Sequence, residues 1–252
     1  MSSAHQIPVL KKALRVLTAI ADGECEPMTQ ALARALKIAP ATCYRIIQTF
    51  THAGWVRVHE NGRCELGLGL FPLLHRLDKH ALLGREVSSV LQELTAATGV
   101  TSKVSAREGD EAITLLRVDS PHPMSLSVRP GARFHLTLGA SGAVLLAALP
   151  DEEVDRVIRE APATCWRWQK PADVRRRVEE ARAHRVVSDL GKYRPDIFGI
   201  SAPLYDAGGQ VQGSLTATGL THGHSRKQLE DWGKLLVRKA AKLNQQIKQG
   251  KP

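Results

Sequence analysis

Two hydrophobic periods alternate along this chain, and the switches between them mark its elements. From Pro8 to Ala21 the apolar residues Val9, Ala13, Val16, Leu17 and Ile20 fall on one broad side, with Lys11, Lys12 and Arg15 mostly elsewhere. That is the 3.6-residue spacing of an amphipathic helix. After the breaker at residues 22–27, residues 28–38 predict a short second helix, with Met28, Leu32 and Leu36 inward and Thr29 as its cap. A joint at residues 37–40 leads into the most informative stretch, residues 40–55. There Cys43, Ile46, Ile47 and Phe50 recur at i, i+3, i+4 and i+7, while Ala41, Tyr44, Arg45, Gln48 and His52 take the opposite side. Pro40 opens this helix and Gly54 closes it, as helices prefer. The period then drops to two. Residues 55–59 and 63–66 alternate apolar and polar around Glu60-Asn61-Gly62, and Asn-Gly is a strong hairpin signal.

Beyond Gly67 the pattern predicts a helix over residues 68–84, with Leu70, Leu73, Leu74 and Leu77 on one side. Such a helix either pairs two subunits or braces two domains. A further helix is expected over 86–98, then strands at 100–107, 112–118 and 124–128. Helices follow at 141–149, 152–160 and 172–183, and strands at 186–190, 198–204 and 211–218. The last two strands are joined by Asp206-Ala207-Gly208-Gly209, and Ser225-x-x-Gln228 caps a final helix running to about residue 247. Strand hairpins mixed with helices imply an α+β domain with an antiparallel sheet. The expected organisation is a winged helix-turn-helix at 1–67, a linker helix at 68–84 and a second domain at 85–252.

Charge sharpens the front part of this picture. The 252 residues carry a net charge of +10, a balance common among polyanion binders. Between Arg34 and Arg63, the cations Arg34, Lys37, Arg45, Arg57 and Arg63 face only Glu60. A helix with an apolar face and a donor-rich face without acids suits the major groove of DNA. Taken alone, it is equally an ordinary surface helix; the order helix, helix, helix, hairpin favours the winged reading. Arg57, His59 and Arg63 then sit where a wing meets phosphates or the minor groove.

Other chemistry recedes. Cys25, Cys43, Cys64 and Cys165 form no CxxC pair, so neither a zinc site nor a disulfide framework is expected, and buried reduced thiols fit a cytosolic protein. His222 and His224, or His75 and His80, lack a completing carboxylate or thiol at ligand spacing, so no metal is expected. Gly67-Leu68-Gly69-Leu70 lacks the strand-to-helix context of a phosphate loop. Gly139-Ala140-Ser141-Gly142 is not a GxSxG elbow. Ser141 instead reads as a helix start whose free amides favour an anion. Trp166 and Trp168 are assigned to the core. No cofactor, no signal segment and no membrane span is expected.

Residues 9–78 resemble the N-terminal domain of the IclR family of bacterial transcriptional regulators. Ala33, Ile38, Thr42, Tyr44, Arg45, Ile46, Ile47, Gly54, Leu66 and Gly67 carry the likeness. Lys37 stands where the family usually has glycine, Ala41 replaces a common serine, and the usual Tyr near residue 64 is missing. The second half resembles the family's effector domain, which has a GAF-like fold, through residues 138–142, 200–206 and 214–219. Lys192-Tyr193-Arg194-Pro195-Asp196 departs from the family pattern at the expected pocket edge. The resemblance implies DNA contacts from Thr29, Ala41, Thr42, Tyr44, Arg45, Gln48, Arg57, His59 and Arg63. It also implies an effector pocket in which Gly139 and Ala140 offer backbone amides, beside Asp189, Gly199, Thr216 and Thr218. By residue type alone, Thr216 and Thr218 are simply β-branched strand residues on one face.

The expected protein is therefore a regulator, not an enzyme. It binds double-stranded DNA at an inverted repeat as a dimer or tetramer, and senses a small organic or aromatic acid. The alternatives are an enzyme in residues 85–252 tethered by the front domain, and an architectural DNA-binding protein without a ligand.

Overall fold

Helices α1 (Pro8–Asp22), α2 (Thr29–Leu36) and α3 (Pro40–His52) open the chain. They bury Val16, Ile20, Leu32, Ile38, Cys43, Ile46 and Ile47 in one small core, so the α3 stripe faces inward as its spacing requires. Strands β1 (Val56–Val58) and β2 (Cys64–Leu66) pair antiparallel, with Arg57 opposite Glu65. The computed structural model describes residues 6–23, 26–73 and 84–249, and the chain divides into two units, Met1–Lys79 and His80–Pro252. Most of the helix expected over 68–84, residues 74–83, lies outside the described residues, as do His75, His80 and Cys25; Leu68–Leu70 form a 3-10 turn.

Backbone details of the first unit follow from single residues. Lys37 ends α2 with φ 53° and ψ 47°, the left-handed conformation glycine favours, so the joint turns as a glycine joint does. Thr29 is not the cap of α2. Met28 holds that position, and no side chain caps the helix start. In the hairpin, Gly62 has φ 80° and Asn61 Oδ1 accepts from the Arg63 amide at 3.0 Å. The glycine run after β2 is a chain crossing: a Cβ on Gly67 would lie 2.2 Å from the Gly54 carbonyl oxygen.

The second unit begins with α4 (Arg85–Thr98), which Gly99 ends at φ 72°. The strands are β3 (Thr101–Glu108), β4 (Glu111–Val118), β5 (Arg133–His135), β6 (Val187–Leu190), β7 (Ile197–Tyr205) and β8 (Val211–Leu220). They form one antiparallel sheet in the order β5-β4-β3-β8-β7-β6. The remaining helices are α5 (Gly139–Leu146), α6 (Asp151–Arg159), α7 (Pro171–His184) and α8 (Arg226–Lys248). The Ser225 hydroxyl caps α8 by accepting from the Gln228 amide.

Strand alternation gives the sheet two different faces. Val104, Leu215, Ala217, Phe198, Ile200, Ala202 and Leu204 pack against α4 and α8 through Leu91, Leu94, Trp232, Leu236 and Leu243. The opposite face carries Thr101, Lys103, Ser105, Thr114, Ser214, Thr216, Ser201 and Asp189, with α5 packed against its β7 side.

Three expectations in this unit are corrected. Residues 124–128 form no strand. Pro121, Pro123 and Pro130 flank them without amide donors, and the segment is tied by the Thr101 hydroxyl donating to the Leu126 carbonyl. The third strand is β5, paired with β4 through Glu111–Ile113. Helix α5 starts at Gly139 rather than Ser141, because Leu138 is the cap. Trp166 packs on the core, but Trp168 is 45% exposed and stacks under Arg167.

Candidate functional site

On α3 the residues Ala41, Tyr44, Arg45, Gln48 and His52 are exposed together, and Thr42 is half-buried beside them. Arg45 makes no ion pair among the described residues, so its guanidinium is uncommitted. The wing is less free. Glu65 lies 3.0 Å from His59 Nε2 and 3.7 Å from Arg57 Nη1, and His59 above all holds its carboxyl below the usual carboxylate range. The one acid that the charge count passed over is the cross-strand partner of Arg57, which the hairpin register dictates. The Arg63 side chain has no such partner among the described residues.

In the second unit a cavity of about 240 Å³ lies between the polar sheet face and the start of α5. Gly139, Ala140, Asp189, Gly199, Thr216 and Thr218 all line it, although they come from four elements. Register explains the gathering. Asp189 is opposite Gly199, Gly199 opposite Thr218, and Thr218 opposite Thr101, so one row crosses four strands. The next row runs from Lys103 to Thr216 to Ser201. Phe198, Phe134, Ile197, Leu138, Leu126 and Val128 supply apolar wall, as ligand cavities usually require.

The polar groups of the wall differ in how far they are engaged. Thr218 Oγ1 donates to the Phe198 carbonyl at 2.7 Å. Thr216 Oγ1 bonds the Ser201 hydroxyl and donates to Ser141 Oγ at 3.2 Å, which leaves the Ser141 proton for another acceptor. The amides of Gly139, Ala140 and Ser141 open α5 and have no partner within the helix, as at any helix start.

Both carboxylate oxygens of Asp189 are engaged by protein groups. Its Oδ1 accepts from the Lys192 and Tyr193 amides at 2.8 and 3.1 Å. Its Oδ2 lies 3.0 Å from Arg177 Nη1, a buried ion pair whose contact is not aligned as a hydrogen bond. Arg177 Nη2 donates to the Thr137 carbonyl and to Gln169 Oε1, and Gln169 Nε2 donates to the same carbonyl. This network fixes the entry to α5 and the Tyr193 loop that edges the cavity. Burial pushes the Arg177 guanidinium down and Asp189 pulls it back up.

Sequence reasoning missed Lys103. It lies in β3 opposite Thr216, is only 5% exposed and lines the cavity. Its Nζ sits 4.1 Å from the Phe134 ring centroid, and no carboxylate pairs with it among the described residues. Burial pushes its pKa down to about 7. The one signal for it was its register. Lys103 shares a face with Thr216 through strand pairing, a relation that single-strand periodicity does not contain. Tyr193, from the segment that departs from the family pattern, also lines the cavity, and burial pushes its hydroxyl up.

A winged helix-turn-helix joined in sequence to a sheet domain with a walled cavity is the architecture of a transcription regulator. The IclR helix-turn-helix domain matches residues 9–60, and the bacterial transcriptional regulator IclR C-terminal domain matches residues 75–245; the chain belongs to the IclR family. Members of this family regulate transcription and are not enzymes. Among curated relatives, the chain is 26% identical over 161 residues to the probable transcriptional regulator SauR of Cupriavidus necator. That match spans 64% of each chain, a little under two thirds. Identity to the HTH-type transcriptional regulator KdgR of Escherichia coli is 25% over 223 residues, covering 86% of this chain and 84% of the relative. An IclR homolog from Microbacterium hydrocarbonoxydans, solved in complex with 4-hydroxybenzoate, has a TM-score of 0.75 at 19% identity. It covers 96% of this chain and 99% of that one, a likeness of fold. No helix among the described residues is long and apolar enough to cross a membrane.

Proposed function

We propose that this IclR-family regulator responds to a small organic or aromatic acid held in the cavity of the second unit, and that the acid changes its affinity for operator DNA. One observation carries the reading: the unpaired α5 amides, the free proton of Ser141 and the unpaired ammonium of Lys103 all line one apolar-walled cavity. Three donors of positive character around one space favour an anion. The 4-hydroxybenzoate complex of a structural relative supports the aromatic acid class. On the DNA side, Tyr44, Arg45 and Gln48 read base edges, with Ala41, Thr42 and Thr29 close by. Arg57, His59 and Arg63 meet the backbone. A two-fold dimer on an inverted repeat supplies the specificity that one recognition helix lacks.

The test begins by selecting bound duplexes from a random pool and titrating the best one with parent and Arg45→Ala proteins. Loss of about 1–3 kcal/mol, specific to the selected sequence, is expected from the variant. Repeating the titration with a panel of carboxylic acids should shift the midpoint for at least one. No sequence preference refutes the DNA reading, and an unmoved midpoint across the panel refutes the ligand reading.

A further inference from the structure

We propose that Lys103 is the counter-ion of the ligand's carboxylate, and that the protein takes up a proton through it as the acid binds. This rests on the reading of the cavity as an acid-binding pocket. The placement is specific. Lys103 stands in the row with Thr216 and Ser201, and Thr216 bonds Ser141 on α5, so the ammonium and the opening amides of α5 border the same space. Among the described residues its charge meets the face of Phe134 and no carboxylate, and that ring contact, worth about 0.5–2 kcal/mol, is no substitute for an anion.

The surrounding charges are already committed. On β4, Arg117 pairs with Asp119 and donates to Ser127. On β5, Arg133 is tied to Glu108 and Glu111, while His135 bonds Thr137 and is pushed below its ordinary value by burial. On β6, Asp189 faces Arg177. In the loop after β6, the Tyr193 hydroxyl is raised by burial. The loop from residue 119 to 132 contributes Arg129, a cation that is itself engaged. From β8 and α5 the wall residues Thr216, Thr218 and Ser141 carry no charge. A carboxylate entering this space therefore finds Lys103 as its uncommitted cation.

Burial alone places the Lys103 pKa at about 7, so near neutral pH roughly half the empty protein holds an amine rather than an ammonium. A bound carboxylate favours the ammonium and raises that value. Uptake on binding should then be about 0.1 proton at pH 6 and about 0.9 at pH 8, with acid affinity falling about tenfold per pH unit above 7.

The experiment is calorimetry on the full chain with benzoate, 4-hydroxybenzoate, lactate and succinate, and with benzamide and 4-hydroxybenzamide as uncharged partners. Each is titrated at pH 6, 7 and 8 in phosphate and in Tris, whose different ionisation heats count the protons. The expected result is that at least one acid binds, its amide binds at least tenfold more weakly, and uptake rises towards one proton at pH 8. Lys103→Met should lose both affinity and uptake, whereas Lys103→Arg should keep affinity and lose its pH dependence. Should Lys103→Met fail to fold, the proton count of the parent decides alone. An acid that binds the parent and Lys103→Met equally, or binds the parent with no proton taken up at pH 8, overturns this proposal and leaves the pocket reading standing. Failure of every acid to bind the parent overturns both.

Discussion

Val104 and Leu215 lie on one face of the six-stranded sheet; Lys103 and Thr216, their neighbours in sequence, lie on the other. The first face is closed by Leu91, Leu94, Trp232 and Leu236, and its burial is mostly apolar, with the Ser102 hydroxyl opposite Ala217 as a buried polar exception. There the removal of surface from water stabilises the fold at roughly 25 cal/mol per Å². The second face buries Lys103 without an ion-pair partner among the described residues, and Ser105, Thr114 and Ser214 hydroxyls that make no hydrogen bond among them, in one row across β4, β3 and β8. Unsatisfied buried polar groups cost stability. One sheet therefore uses alternate residues for opposite ends: one face holds the unit together, and the other keeps polar groups ready at a cost. Sites that depart from the local rules of stability are where function is expected.

The comparison can be broken most forcefully at Asp189. Asp189→Ala leaves Arg177 buried without its counter-charge and frees the Lys192 and Tyr193 amides, so unfolding by urea should show a loss of about 3–5 kcal/mol. A loss under 1 kcal/mol would mean that the acid is held for a ligand and not for the frame. Next, Leu215→Ala on the apolar face should cost about 2–5 kcal/mol while leaving the affinity for any acid within about twofold, because the side chain faces away from the cavity. If acid affinity drops in step with stability, the two faces are not separate in function. The smallest effect is at Thr114→Val. Replacing a buried hydroxyl that has no partner among the described residues by a methyl of similar shape should raise stability by about 1 kcal/mol. A fall of that size shows that the hydroxyl row is satisfied and that this face carries no such cost.

How far the sequence reveals each region depends on how local its cause is. The apolar stripe of α3, the Asn61-Gly62 turn and the α8 cap rest on contacts within a few residues, and all are present as spacing and turn chemistry require. Gly139, Ala140, Asp189, Gly199, Thr216 and Thr218 were named through family resemblance, and strand register gathers them at the cavity; periodicity alone treated Thr216 and Thr218 as sheet residues. The pairing of Asp189 was not visible because its partner belongs to the run Arg175-Arg176-Arg177, which looks like a solvated helix face until α7 packs Arg177 inward. Lys103 was missed for a related reason. In the run Ser102-Lys103-Val104 a lysine reads as the wet side of a half-buried strand, but both faces of this strand are buried.

The claim that one sheet face is spent on binding is tested most directly by unfolding parent and Lys103→Met proteins over a range of pH. The Lys103 value is depressed in the folded protein, from 10.5 to about 7, so between those limits the unfolded chain holds more protons than the folded one. Stability of the parent should therefore rise with pH through that window, and the cost of the buried charge should be fully present below about pH 7. Lys103→Met should remove this rise and be more stable than the parent at pH 7, by on the order of 1–3 kcal/mol. The contradicting result is a Lys103→Met protein less stable than the parent, with the same dependence on pH. In that event Lys103 is a structural residue of the core, and the polar face holds the fold together as the apolar one does.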